Sequence, residues 1–354
     1  MSKCNHSRIL WGIIGCGDVT EVKSAPKCFK SDTSDVLLCM RRDKEKAKDY
    51  ALRHSISFSC STMEEFFALC GQHDINSVYI ATPPSSHKDF VIDAVSMGYN
   101  VYIEKPIALN SVEACAIQEC LQQHPDSKLT VAHYRRELEL FQHVKTLLLD
   151  EKNIGQVRSC SLRCWKYTEV EDYSDPDNWR LNPSISGGGY FHDLAPHQLD
   201  ILIYLFGYPL FNQGMSASPS QGQGVNHTPP LANDHVNGLS LFPNNVIFNG
   251  SWCFAVPKQY AVDECIIIGT TGSIKFSFFG SSGVVCMVTN SITDQPRTKE
   301  WSFEHPKHIQ KPMIDQVNRY FDSTSSGEKT NPCSIQDAVV VMEMMDAYTS
   351  LPSA

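Results

Sequence analysis

From Arg8 to about His133, short apolar runs alternate with longer stretches whose apolar positions recur at helical spacing. The runs at residues 8–14, 35–40, 77–81, 100–103 and 128–132 predict strands. The stretches at 19–29, 44–54, 63–70, 87–97 and 111–122 predict helices. Gly98 and Pro125 supply stop signals for the last two of them. A strand, helix, strand rhythm of this kind is that of consecutive βαβ units on a parallel sheet.

After about Tyr134 the rhythm changes. A helix at 137–149 is followed by a long strand-like run at 156–167 and a helix at 193–205. Alternating runs then flank the turn sequences Phe242-Pro243-Asn244-Asn245 and Gly269-Thr270-Thr271-Gly272, which predict hairpins. Residues 216–232, rich in Ser, Gln, Gly, Asn and Pro, read as a polar loop, and two helices at 308–321 and 334–348 close the pattern. The expected fold class is α/β. An amino-terminal Rossmann domain with a parallel sheet, residues 1–132, precedes an α+β domain with a large, mostly antiparallel open sheet, residues 133–354.

Bulk properties narrow the partners. The chain has 354 residues and 42% hydrophobic content, enough for two cores. A net charge of −9 without a long Lys or Arg run argues against nucleic acid. Residues 1–10 read as the lead into a first strand rather than a signal peptide, and no apolar run reaches the roughly 18 residues of a membrane span. A cytoplasmic protein with no membrane partner is expected. The 14 cysteines are scattered through apparent strands and helices, which predicts reduced thiols rather than a disulfide framework. Cys60, Cys70, Cys115 and Cys120 lack paired C-x-x-C spacing, so no metal is expected.

Candidate chemistry begins at the first strand. The run Gly12-Ile13-Ile14-Gly15-Cys16-Gly17-Asp18-Val19-Thr20 leads an apolar strand into a helix through closely spaced glycines. Gly15 permits a tight turn, and Gly17 lets the backbone approach a pyrophosphate held by the first helical amides. Thr20 stands where a third Gly or Ala is usual. Glycines also serve ordinary turns, but here the run opens a series of βαβ units, the context a dinucleotide site requires. At the tip of the second strand, Arg41 and Arg42 occupy the place where a carboxylate would receive the ribose 2′-hydroxyl of NAD. Arginines there suit a 2′-phosphate, so NADP(H) is expected ahead of NAD(H), with plain surface charge as the alternative. Asp43 reads as the N-cap of the next helix.

Three further segments are Ala81-Thr82-Pro83-Pro84-Ser85-Ser86-His87, Glu104-Lys105-Pro106, and Gly187-Gly188-Gly189-Tyr190-Phe191-His192-Asp193-Leu194-Ala195-Pro196-His197. With the glycine turn and the order of elements, the chain resembles the Gfo/Idh/MocA oxidoreductases over nearly its whole length. The resemblance implies that Gly12, Gly15, Gly17, Asp18, Val19, Arg41, Arg42, Thr82, Pro83, His87, Glu104 and Lys105 form the cofactor side. It implies that Lys105 is the catalytic lysine, and that Asp193 and His197 meet the substrate oxygen. Hydride transfer at a carbinol carbon needs a proton to move at that oxygen, which a Lys or His within reach can carry. Asp193 and His197, four apart, share a face if helical. His192 reads as structural.

Tyr134, Arg135, Trp165, Trp179 and Arg180 are candidates to shape a sugar-sized pocket, with sheet core an equal reading for Trp165. His133-Tyr134-Arg135-Arg136 departs from the pair usual in the family at this loop. The expected activity is hydride transfer between NADP(H) and a small sugar, sugar-derived or polyol substrate, in a homodimer or homotetramer. A non-catalytic dinucleotide sensor and an NAD-dependent redox-assisted lyase or glycosidase are the alternatives.

Overall fold

The computed structural model describes residues 8–168, 175, 178–218, 232–280, 283–289, 296–322 and 330–350. The chain divides into two units, one of residues 1–108, 112–134 and 306–339, the other of 109–111, 135–305 and 340–354.

The first unit is built on six strands, β1 (Ile9–Ile14), β2 (Ser34–Met40), β3 (Phe58–Cys60), β4 (Ser77–Ile80), β5 (Asn100–Ile103) and β6 (Leu129–Val131). They pair in parallel in the order β3-β2-β1-β4-β5-β6. The crossovers carry α1 (Asp18–Val22), α2 (Lys44–Arg53), α3 (Met63–Gln72), α4 (His87–Ser96) and α5 (Ser111–Gln123). Strand order reverses between β1 and β4, and in such sheets ligands bind outside the carboxyl ends at that point.

Two local expectations fail for physical reasons. The helix read at 19–29 stops at Val22, because Ala25 before Pro26 is extended (ψ 145°) and a separate 3-10 turn, Pro26–Cys28, follows. Strand β3 has only three residues, too few to show a period, and is held by pairing to Leu38, Cys39 and Met40 of β2.

The division between units also differs from a single cut near residue 132, since residues 306–339 belong with the parallel sheet. Their polar groups explain why. In α6 (Lys311–Phe321), Phe321 stacks on Trp11 of β1 at 5.6 Å, and Asn318 Oδ1 accepts the buried Trp11 indole N–H at 3.0 Å. Lys128 donates to the Tyr320 carbonyl at 2.7 Å, and Asn331 donates to the Leu129 carbonyl at 2.7 Å.

The second unit carries an eight-stranded sheet in the order β14-β13-β12-β11-β7-β10-β9-β8. Its members are β7 (Val157–Trp165), β8 (Phe211–Ala217), β9 (His235–Phe242), β10 (Val246–Cys253), β11 (Val262–Gly269), β12 (Gly272–Phe276), β13 (Gly283–Thr289) and β14 (Arg297–Phe303). Only the β7 to β10 pairing is parallel. Both expected hairpins form: Asn244 and Asn245 take positive φ (60° and 58°) between β9 and β10, and Thr270-Thr271 joins β11 to β12. Most of the expected polar loop, residues 219–231, lies outside the described residues.

One face of this sheet is covered. Cys160, Leu162 and Cys164 of β7 and Phe248 and Trp252 of β10 are buried, and the Trp252 indole donates to Gln198 at 2.6 Å on the helix Gly189–Phe206. The opposite face exposes Phe211, Met215, Leu239, Ile247 and Ile268.

The Trp11 to Asn318 bond generates a prediction. Asn318→Ala leaves a buried indole N–H without its acceptor, at about 1–3 kcal/mol. A lower urea midpoint for the loss of Trp11 burial is expected, and an unchanged midpoint would mean that the bond does not anchor the 306–339 segment.

Candidate cofactor and active site

The residues of the glycine turn divide by task. Gly12 lies inside β1, where an added Cβ would come within 2.6 Å of the Phe66 ring of α3. Packing against α3 is enough to require glycine there. Gly15 has φ +92°, and a Cβ there would sit 2.7 Å from Thr82 Cγ2 and 2.8 Å from the Ala81 carbonyl carbon. Both the conformation and the neighbouring β4 loop therefore exclude a side chain. Gly17 is exposed, and a Cβ on it would meet no protein atom within 4 Å. Its lack of a side chain serves nothing inside the protein, as fits a backbone approached by a ligand. Asp18 and Val19 open α1 and present first-turn amides, while Thr20 is buried and its hydroxyl donates to the Gly17 carbonyl at 2.8 Å. These features fit a pyrophosphate-bearing dinucleotide.

The two arginines also differ. Arg41 is half-buried and its Nη1 donates to the Cys16 carbonyl at 2.8 Å, tying the tip of β2 to the glycine turn, whereas Arg42 is exposed. Asp43 caps α2 by accepting from the amides of Glu45 and Lys46, and the Lys46 amide bond leads the lowering of its pKa.

The segment after β4 and the segment after β5 are joined by His87. Its ring is fully buried, with Nδ1 at 2.9 Å from the Pro106 carbonyl and Nε2 at 2.7 Å from the Thr82 carbonyl. Burial pushes its pKa below the ordinary range, against the two carbonyl contacts, which act to raise it. His87 is therefore an internal clasp between the two segments expected to flank the cofactor. Thr82 and Pro83 are half-buried above it, with the Ser86 hydroxyl donating to Thr82 Oγ1 at 2.8 Å.

Glu104 is buried at the end of β5. Its Oε1 accepts from the Tyr79 hydroxyl at 2.7 Å and from Gln310 Nε2 at 2.6 Å, and its Oε2 accepts from the Lys105 amide at 3.3 Å. Ser24 Oγ lies 2.7 Å from the Tyr79 oxygen, and the Tyr102 hydroxyl donates to Gln310 at 2.9 Å. Burial pushes both phenols up, which keeps them protonated as donors. Glu104 thus holds a position, with Oε1 engaged twice and Oε2 taking the single contact from the Lys105 amide. Lys105 follows it, half-buried, at the carboxyl edge of the sheet. Gln310 and Tyr79 escaped the sequence reading because no local pattern marks residues that meet across 206 and 25 positions.

In the second unit, the helix Gly189–Phe206 (α7) presents Asp193 and His197 one turn apart, with Pro196 between them. Asp193 Oδ2 accepts from Arg180 Nε at 3.3 Å, and the Arg180 guanidinium stacks 4.8 Å from the Trp179 ring. His197 is buried, with its ring edge-on to Phe279 at 6.1 Å. Arg135 is buried, donates to the Phe278 carbonyl and stacks 4.6 Å from the Phe279 ring. The structure so groups Asp193 with Trp179 and Arg180, and His197 with Arg135. His192 lies against Gly187 and Gly188, where a Cβ would meet its ring, and burial pushes its pKa down to about 4.

Trp165 does not join them. Cys164 pairs in register with Trp252 and faces α7, so Trp165 points to the other face of the sheet, where its indole donates to Ser251 at 3.0 Å. Tyr134 lies buried in the first unit, in the turn after β6. Phe279 and Lys166 were not singled out from the sequence. For Lys166 the signal was its parity with Cys160, Leu162 and Cys164.

Residues 9–133 match a family model described as the oxidoreductase family, NAD-binding Rossmann fold, and residues 141–275 match the GFO/IDH/MocA C-terminal domain. The chain is 39% identical over 344 residues to an oxidoreductase from Formosa agariphila, covering 97% of this chain and 99% of that one. It is 26% identical over 270 residues to a D-xylose 1-dehydrogenase of Haloarcula marismortui named for NADP(+), covering 75% of this chain and 71% of the relative. Among solved structures, an aldose-aldose oxidoreductase from Caulobacter crescentus shares the fold with a TM-score of 0.77 at 20% identity, covering 96% of each chain.

The different settings of the two turn glycines predict different phenotypes. Gly17→Ala should leave the thermal midpoint unchanged and weaken NADPH binding at least about tenfold, read by nicotinamide fluorescence. Gly15→Ala should lower the midpoint itself. Equal NADPH affinity in folded Gly17→Ala would remove the turn from the cofactor site.

Proposed function

The chain belongs to the Gfo/Idh/MocA oxidoreductase family, and from that premise we propose that it transfers hydride between NADP(H) and a sugar, sugar-derived or polyol carbonyl or alcohol. The observation that carries this reading is the anchored Glu104 carboxylate with Lys105 immediately after it, together with Asp193 and His197 one helical turn apart. When bound, the nicotinamide supplies the hydride acceptor or donor. The residues of the chain supply the rest. The first-turn amides of α1 and the open backbone at Gly17 receive the pyrophosphate, and Thr82 and Pro83 form the neighbouring loop. Lys105 in the first unit and His197 in the second are each suited to carry the proton of a substrate hydroxyl, and Asp193, fixed by Arg180, to orient the substrate.

The preference for NADP(H) rests on Arg42. Arg41 has one nitrogen engaged in the glycine turn, while Arg42 is exposed beside it and suited to a 2′-phosphate. The D-xylose dehydrogenase relative, named for NADP(+), supports the same choice. The exposed apolar residues on the uncovered sheet face suit pairing of identical subunits. No helix among the described residues is long and apolar enough to cross a membrane, and the cysteines among them are free thiols, which suits a reducing cytoplasm.

Titration of the purified protein with NADPH and NADH tests the cofactor. NADPH is expected to bind at least about tenfold tighter, a difference of about 1.4 kcal/mol. Tighter binding of NADH would assign Arg42 to the surface and favour the lyase alternative. Lys105→Met should keep NADPH affinity and lose at least about a hundredfold in turnover. Full turnover in that variant would remove Lys105 from the chemistry.

A further inference from the structure

We propose that the sugar substrate carries a carboxylate and that Lys166 receives it, an inference that rests on the dehydrogenase reading above and narrows its substrate class to sugar acids. Lys166 follows the last residue of β7, and its amide donates to the Cys253 carbonyl at 2.7 Å, continuing the sheet. Its parity with Cys160, Leu162 and Cys164 sets it on the face covered by α7. There its Nζ lies 4.9 Å from the centroid of Phe279, the ring whose side the His197 imidazole meets at 6.1 Å. The ammonium and the imidazole thus both lie against one phenyl ring, within reach of one small substrate.

The charges of this region distinguish Lys166 from its neighbours. Arg136 is matched by the buried Asp200 carboxylate, with Nε at 2.9 and 3.0 Å and Nη2 at 2.7 Å. Arg180 is matched by Asp193. Asp263, opposite Cys164 on β11, directs Oδ2 to the Phe279 amide instead. Lys166 has no ion pair among the described residues, and its side chain rests on the π face of Phe279, which attracts a cation without neutralising it. Arg135 stacks on the same ring and adds positive potential. An ammonium held in this way keeps its donors for an incoming anion. A charge-assisted bond to a carboxylate would fix one end of the substrate while the carbinol carbon is presented to His197.

The test is calorimetric titration of the NADP(+)-loaded protein with D-glucuronate, D-galacturonate, their neutral parents D-glucose and D-galactose, and D-glucose 6-phosphate. At least one uronate is expected to bind about tenfold or more tighter than its parent aldose. Lys166→Met should abolish that preference and Lys166→Arg should retain much of it, with NADPH affinity reporting that each variant is folded. No uronate preference, or a preference that survives in Lys166→Met, overturns the proposal. Tighter binding of the 6-phosphate than of either uronate overturns the choice of carboxylate. Failure of the dehydrogenase reading looks different: the Lys166-dependent uronate preference would stand, while no sugar on the panel changed nicotinamide absorbance.

Discussion

A carboxylate removed from water must be satisfied where it is buried, and the Glu104 side chain imposes that constraint on the whole first unit. Its acceptors are met by a tyrosine from β4, a glutamine from the late segment and the backbone amide of the next residue. Gln310 is itself fixed by Tyr102, one strand along from Tyr79. The late segment therefore belongs to the parallel sheet not only through the apolar face of α6 but because a buried charge requires one of its side chains. Lys105 inherits the result. Glu104 anchors the backbone before it, and the clasp of His87 on the Pro106 carbonyl anchors the backbone after it. The main chain that carries the lysine is thereby held on both sides.

Much of this architecture was legible in the sequence because the period of the apolar positions tracks the elements closely. Strand β5 and the starts of α2, α3, α4 and α5 match the reading, since Asp43 and Thr62 cap α2 and α3 and the apolar faces are regular. What escaped is what period cannot carry. Strand β3 has no period to show, and the break after Val22 is set by one proline. The return of residues 306–339 depends on side-chain bonds across 200 or more positions.

The site residues show the same limit more finely. Gly12, Gly15 and Gly17 look alike in a motif, yet one makes room for Phe66, one takes a left-handed turn and one leaves the surface open. His87 and Glu104 were found as members of a pattern, but their burial turns both inward, where they hold the loops that flank Lys105. Trp165 shows where periodicity stops. Its alternation with Cys164 was already visible, but which parity faced the helices became clear only through the bond from Trp252 to Gln198. Once that face is assigned, the same parity that removes Trp165 from the site brings Lys166 into it.

The pairing of charges gives the second unit its division of labour. Arg136 and Asp200 are both buried and bound through several short contacts, so each answers the other's desolvation and neither is available to a ligand. Arg180 and Asp193 are more open and meet through a single longer contact. Such a pair can hold a carboxylate in place and still share it with a substrate hydroxyl, because an exposed ion pair contributes little stability that would be lost on rearrangement. The gradient from sealed pair to open pair runs along α7, from Asp200 back to Asp193, with His197 lying between the two. The carboxyl-terminal part of the helix is thereby fixed to its own unit, while the turn that carries Asp193 keeps polar groups that can answer a substrate.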